Sequence, residues 1–231
     1  MRLLPSTLRI VRGWIRFTAL TLAAFLALRV FVLDAYVIPT SSMERTLLVG
    51  DYLLVNKALY GAEIPGTNLT LPALRDPHRG EVVVFRPPHD PYRSYVKRVV
   101  GVPGDTLEMR DKVLLLNGVP QEEVYARYLD RRGDAIHPSM SWQSDHLVAA
   151  HPGRHYAPTR DTWGPLVVPR GQYFVLGDNR DNSEDSRYWG FVGREGIRGR
   201  PWIVYLSFQG DGNNEGLMGT VRWDRVGHRV R

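Results

Sequence analysis

The hydrophobic pattern of the chain changes character near residue 34. Before that point, residues 17–28 read Phe-Thr-Ala-Leu-Thr-Leu-Ala-Ala-Phe-Leu-Ala-Leu, with no charge. A bilayer crossing needs about 20 residues. Extension from Trp14 to Leu33 reaches that length and takes in Arg16 and Arg29. Both lie near the ends, where long side chains snorkel to the headgroups. The pattern predicts one membrane span over residues 14–33, preceded by a short N-terminal segment, 1–13. A cleavable signal peptide shares the basic start and the apolar core. Leu33-Asp34-Ala35 is a poor cleavage site, which favours an uncleaved anchor.

After the anchor the period shortens. Short runs of Val, Leu, Tyr and Phe recur between turn signals, as strands do. They are Tyr52–Val55, Val82–Phe85 (ended by Pro87-Pro88), Tyr95–Val100, Val113–Leu116 (followed by Asn117-Gly118), Tyr173–Leu176 and Trp202–Phe208. Long helical periodicity is missing, which predicts a mainly β fold rather than βαβ units. Residues 119–169 have a different texture, with four of the seven histidines and several prolines. They predict a smaller inserted β subdomain between two parts of the main core, 34–118 and 170–231. Gly210–Gly216 predicts a flexible loop.

The charge of the 231-residue chain adds to this picture. Of the net +6, Arg2, Arg9, Arg12, Arg16 and Arg29 supply +5, and residues 1–29 hold no acid, so the remainder carries +1. A nucleic-acid binder concentrates basic charge on its folded domain, so nucleic acid is not an expected partner. The basic flank predicts a cytoplasmic N-terminus by the positive-inside rule, with the rest of the chain on the other side. Cysteine is absent, which excludes a thiol nucleophile, a thiolate metal site and any disulfide.

Ser42 follows the anchor within Pro39-Thr40-Ser41-Ser42-Met43. A serine hydroxyl is a poor nucleophile until a base takes its proton. None of the histidines (78, 89, 137, 146, 151, 155 and 228) stands in a nucleophile context. His151 and His155 have helical spacing, but Pro152 and Gly153 between them argue against a helix and a metal pair. Lysine serves as a base when burial keeps it neutral. Lys97 lies in a strand-like run in which alternation places Tyr95, Lys97 and Val99 on one face. A strand lysine more often faces solvent, so this run alone decides nothing.

Taken together, three segments and the anchor resemble bacterial type I signal peptidase, a membrane-anchored serine protease with a Ser–Lys dyad. They are Ile38-Pro39-Thr40-Ser41-Ser42-Met43 with Thr46–Asp51, Tyr95–Asp105, and Gly177–Val192. The resemblance covers residues 14–118 and 171–208, and Arg222–Val226 is similar to the family's C-terminal end. It implies a Ser–Lys signal-peptidase-like β fold, with Ser42 as nucleophile and Lys97 as general base. It implies an oxyanion hole from the Ser42 backbone N–H and the Thr40 hydroxyl. Ser183 would hydrogen-bond and orient the lysine, and Asp185, Arg187, Asp178 and Arg98 would form a supporting ionic network. Tyr36, Ile38, Met43, Leu47, Tyr95 and Val96 would line shallow pockets for small side chains.

The implied substrates are signal peptides of exported preproteins, cut at small-x-small sites. The implied enzyme is a monomer of the bacterial cytoplasmic membrane, in contact with lipid, without metal or cofactor. One departure stands out: the family's Met-x-Pro-Thr-Leu is Met43-Glu44-Arg45-Thr46-Leu47 here. Arg45 replaces a residue that fixes φ near −65° and has Glu44 as a nearby acid to pair with. Two alternatives stay open: a peptidase dedicated to one secretion or conjugation system, and an inactive homologue that binds signal peptides.

Overall fold

A computed structural model describes residues 5–63, 67, 69–130, 135–148, 156–209 and 220–231. His151, His155 and the Gly210–Gly216 run lie outside the described residues. The chain starts with α1 (Pro5–Phe31), rich in Leu and Ala and free of acid. Its side chains from Leu8 to Ala27 are exposed, and this 20-residue stretch has mean hydropathy 1.4. At 1.5 Å per residue it reaches about 30 Å, the thickness of a bilayer's hydrocarbon core. The helix stops at Phe31, and Leu33 already pairs with Asn56 in the first strand.

Twelve strands follow among the described residues. They are β1 (Leu33–Val37), β2 (Asp51–Asn56), β3 (Val82–Phe85), β4 (Tyr95–Gly101), β5 (Thr106–Arg110), β6 (Val113–Leu116), β7 (Val119–Pro120), β8 (Trp163–Val167), β9 (Gln172–Leu176), β10 (Val192–Gly193), β11 (Ile197–Gln209) and β12 (Thr220–Val221). A single-turn helix, α2 (Ser186–Trp189), links β9 to β10. The large sheet has the order β1-β2-β11-β3-β4-β9-β10, with β12 beside β11, and a second sheet has the order β7-β6-β5-β8. Every ladder is antiparallel. The fold is mainly β, as the short apolar runs predict.

β11 gives the large sheet its curl. It pairs with β3 through its first residues and with β2 through the rest, and its register shifts near Gly199, Ile203 and Leu206. Such bulges bend a strand and increase its twist. β3 is buried on both faces, which explains its unbroken Val-Val-Val-Phe run. Val82 and Val84 enter one core cluster with Ile38, Met43, Leu47, Leu53 and Val55. Val83 and Phe85 enter the opposite one with Val99, Tyr173 and Val175. A third core, built on Leu107, Met109, Trp163, Leu166 and Phe174, joins the second sheet to β9.

The second sheet already starts at Thr106, so a boundary at 118/119 falls in the turn between β6 and β7. β5 and β6 have the same apolar texture as core strands, and only pairing with β8 separates them from the large sheet.

Candidate active site

Ser42 sits in a 3-10 turn, Ser41–Met43, that follows extended backbone at Thr40. The turn is pinned from below by apolar side chains: Ile38, Met43 and Leu47 are buried in the core between β2, β3 and β11. Thr46 and Leu47 close it by donating backbone N–H groups to the Met43 carbonyl, at 3.0 and 2.8 Å. From the side, the Asn179 backbone N–H donates to the Ser42 carbonyl at 3.0 Å. Gly177 permits this approach, because a Cβ there would fall 2.6 Å from the Ser42 oxygen and 2.2 Å from Ser183 Oγ.

Lys97 lies in the middle of β4, opposite Val83 of β3. Its register places it on the face of Val83, Phe85, Tyr95 and Val99, an apolar cluster. Lys97 is 4% exposed and Ser42 8%, and Lys97 Nζ donates to Ser42 Oγ at 2.5 Å. Burial lowers the lysine from its ordinary 10.5 to about 8; the nearby Asp185 charge opposes this and Arg187 assists it. The arrangement puts a hydroxyl against an amine that loses its proton near pH 8. Thr40 Oγ1 stands 3.4 Å from Ser42 Oγ and is exposed.

Two buried ion pairs flank the dyad. Arg98 binds Asp178 through two hydrogen bonds of 2.8 and 2.7 Å, and Thr46 Oγ1 donates to the same carboxylate at 2.5 Å. Arg187 binds Asp185 through two hydrogen bonds of 2.8 Å. Burial would raise the Asp185 carboxyl, but the Arg187 charge and hydrogen bonds, with the Gly177 N–H, hold it below its ordinary value. The supporting residues therefore form two bidentate pairs. Ser183 is buried at the site, but its Oγ makes no hydrogen bond of standard geometry among the described residues. The bond to Lys97 that the resemblance implies is not formed; the lysine donates to Ser42 instead.

Of the expected pocket residues, Tyr36, Ile38, Met43, Leu47 and Val96 share one cluster beside the dyad. Tyr95 belongs to the opposite cluster, 6.3 Å from the Phe85 ring. A cavity of about 600 Å³ at the foot of α1, lined in part by Val32, Leu33, Arg200 and Trp202, includes none of these residues. The sequence reasoning missed Asn179 and Arg127, which hold Ser42 and Glu44, and the buried Arg180–Glu123 pair. Arg45 does not pair with Glu44: it donates to the Ala126 carbonyl, and Glu44 pairs with Arg127. Its φ of 105° is closed to proline, so the backbone here departs from a proline-bearing turn.

A serine hydroxyl held by a buried amine, on a curled β scaffold behind an apolar helix, places the chain among serine endopeptidases. Comparison with known proteins agrees. The family model for signal peptidase, peptidase S26, matches residues 11–206. Signal peptidase I of Pseudomonas fluorescens is 39% identical over 199 residues, covering 79% of this chain and 68% of that protein. Signal peptidase I of Aquifex aeolicus is 36% identical over 222 residues, covering 81% of each. A crystal structure of a signal peptidase I from Enterococcus faecalis is 32% identical, covering 55% of this chain and 98% of the other, with a TM-score of 0.37. The chain belongs to the signal peptidase family, peptidase S26, and that membership supports signal-peptide cleavage as its activity.

Proposed function

We propose that Ser42 and Lys97 form a catalytic dyad that cuts signal peptides from exported preproteins after small-x-small sites. The observation that carries this reading is the 2.5 Å hydrogen bond between two buried side chains that no sequence proximity brings together. Neutral Lys97 takes the proton of Ser42 as Oγ attacks the scissile carbonyl. The tetrahedral oxyanion accepts hydrogen bonds from the Ser42 N–H and the Thr40 hydroxyl. Lys97 then gives its proton to the leaving amine, and an ester remains on Ser42. A water molecule, deprotonated by Lys97, attacks that ester and releases the signal peptide with Ser42 restored.

Substrate choice follows from the apolar cluster of Tyr36, Ile38, Met43, Leu47 and Val96, with Tyr95 on the lysine's side. In this reading the buried side chains of Met43 and Leu47 form the floor of shallow recesses, so a small side chain fits and a large one overlaps the wall. α1 anchors the enzyme once in the bacterial cytoplasmic membrane, with its N-terminus in the cytoplasm and the site outside. Trp202, Tyr205 and Trp223 are exposed, and such rings settle at a lipid interface. In this reading residues 34–118 and 170–231 make the catalytic core, 119–169 an inserted subdomain, and the enzyme acts as a monomer without metal or cofactor.

The test is cleavage of a preprotein with an Ala-x-Ala site by the full-length enzyme in lipid. Replacing the alanine before the cut by phenylalanine is expected to lower kcat/KM roughly 10–100-fold, since forcing a larger group against a packed wall costs about 1–3 kcal/mol. Equal cutting of both substrates would remove the steric basis of the specificity.

A further inference from the structure

The dyad is held from one side by a segment that the catalytic reading leaves without a role. Glu123–Asp130 runs along the Gly177–Asp181 turn and makes a short parallel bridge to it. The Arg127 N–H donates to the Asp178 carbonyl at 2.7 Å, and the Arg180 N–H donates to the Arg127 carbonyl at 2.9 Å. Asn179, between those two residues, is the one whose N–H holds the Ser42 carbonyl. Three backbone layers are thus stacked at one level: Ser42, Asn179 and Arg127.

Side chains close the stack. Glu44 accepts from Arg127 at 3.1 Å and from Asn179 Nδ2 at 3.3 Å. Arg45 reaches across to the Ala126 carbonyl at 3.2 Å. Beneath, buried Arg180 forms two hydrogen bonds to Glu123, at 2.5 and 2.7 Å. Arg45 also has φ 105°, a left-handed conformation that non-glycine residues avoid and that persists only where the surroundings enforce it.

We propose that Glu123–Asp130 is a clamp on the Ser42 turn, with Arg127 and Arg45 as positioning residues for the reaction. The inference rests on the Ser42–Lys97 reading. Its reason is geometric. Arg127 and Arg45 touch neither Ser42 nor Lys97; Arg127 holds Glu44, and Arg45, the next residue of the turn, holds the Ala126 carbonyl of the clamping segment. Loosening that grip lets Ser42 Oγ wander from Lys97 Nζ, while Ile38, Met43 and Leu47 stay anchored in the core. The cost therefore falls on kcat rather than on substrate binding. Arg45 is exposed and Arg127 partly so, and neither belongs to the core, so their loss leaves folding nearly untouched.

The test measures steady-state kinetics and thermal midpoints of the full chain in lipid for Arg127→Gln, Arg127→Lys, Arg45→Gly and Arg45→Pro. Arg45→Gly removes one surface side chain and eases the backbone, so it stays folded whatever Arg127→Gln does. Arg127→Gln and Arg45→Gly are each expected to lower kcat about tenfold with KM within about twofold, as misplacement of a reacting group does. Arg127→Lys is expected to recover most of that loss. Arg45→Pro is expected to lose more than Arg45→Gly, because proline cannot adopt φ 105°.

Unchanged kcat in folded Arg127→Gln and Arg45→Gly overturns the clamp, as does a kcat for Arg45→Pro at or above wild type. A loss that tracks the thermal midpoint and is not restored by Arg127→Lys overturns it too, leaving only a scaffold. Failure of the underlying reading shows separately, as activity retained in Ser42→Ala.

Discussion

Lys97→Met is expected to silence the enzyme and, at pH 7, to make it more stable. A positioned general base contributes roughly 10²–10⁴-fold to a rate, so at least that much is lost. Ser42→Ala, which removes the proposed nucleophile, is expected to lose on the order of 10⁶-fold. The stability gain follows from burial. The lysine is pushed from its ordinary 10.5 to about 8. Below pH 8 it is protonated both folded and unfolded, and the folded state bears the full cost of the buried charge, about 3 kcal/mol.

Between pH 8 and 10.5 the unfolded lysine holds a proton that the folded one has released. Wild-type stability therefore rises with pH through that window, and the advantage of Lys97→Met fades towards its upper end. Methionine fills the space of the lysine stem, and loss of the bond to Ser42 takes back about 1 kcal/mol. A net gain of about 2 kcal/mol at pH 7 remains. Denaturant titrations at pH 7 and pH 10.5 measure it, and a less stable Lys97→Met at pH 7 would refute the buried-charge account. The same proton sets activity: wild-type kcat/KM should climb with pH to a limb centred near 8.

Sequence and structure agree where side-chain chemistry repeats and part where backbone pairing decides. The runs at β2, β3, β4, β6, β9 and the end of β11 are legible because buried and half-buried strands concentrate Val, Leu, Tyr and Phe, most continuously in β3 and β9. The first residues of β11, Ile197-Arg198-Gly199-Arg200-Pro201, look like a loop. They are a strand because bulges absorb the glycine and the proline. β1 is hidden by its neighbour, since Leu33 continues the apolar composition of the anchor.

At the site, Ser42 and Lys97 are legible as a motif, but the burial of Lys97 is not. Alternation puts it on a face and does not say that the face is covered. The stack of Ser42, Asn179 and Arg127 leaves no trace in composition, because it is made of peptide groups that every residue carries. Arg45 shows the same limit: proximity in sequence suggests Glu44, whereas a carbonyl from residue 126 holds it.

Arg187→Met is expected to cost about 3–5 kcal/mol of stability, because it leaves the Asp185 carboxylate buried and unpaired. Asp185 is wholly buried and held below its ordinary 3.8. Its stabilising pairing is present above pH 3.8 and is lost as pH falls through the lower folded value. Arg187 also donates to the carbonyls of Arg180 and Ser183, which the variant leaves without that donor.

The functional consequence runs through Lys97. Arg187 helps to lower the lysine and Asp185 opposes it. Without the arginine, the uncompensated carboxylate favours the protonated lysine, and the activity limb should move above pH 8. The double variant Asp185→Asn/Arg187→Met removes both charges. It should recover part of the stability and bring the limb back to or below its wild-type position. Denaturant midpoints and pH–rate profiles of the two variants separate the effects: a folded Arg187→Met whose limb stays near 8 would show that the pair braces the turn without tuning the base.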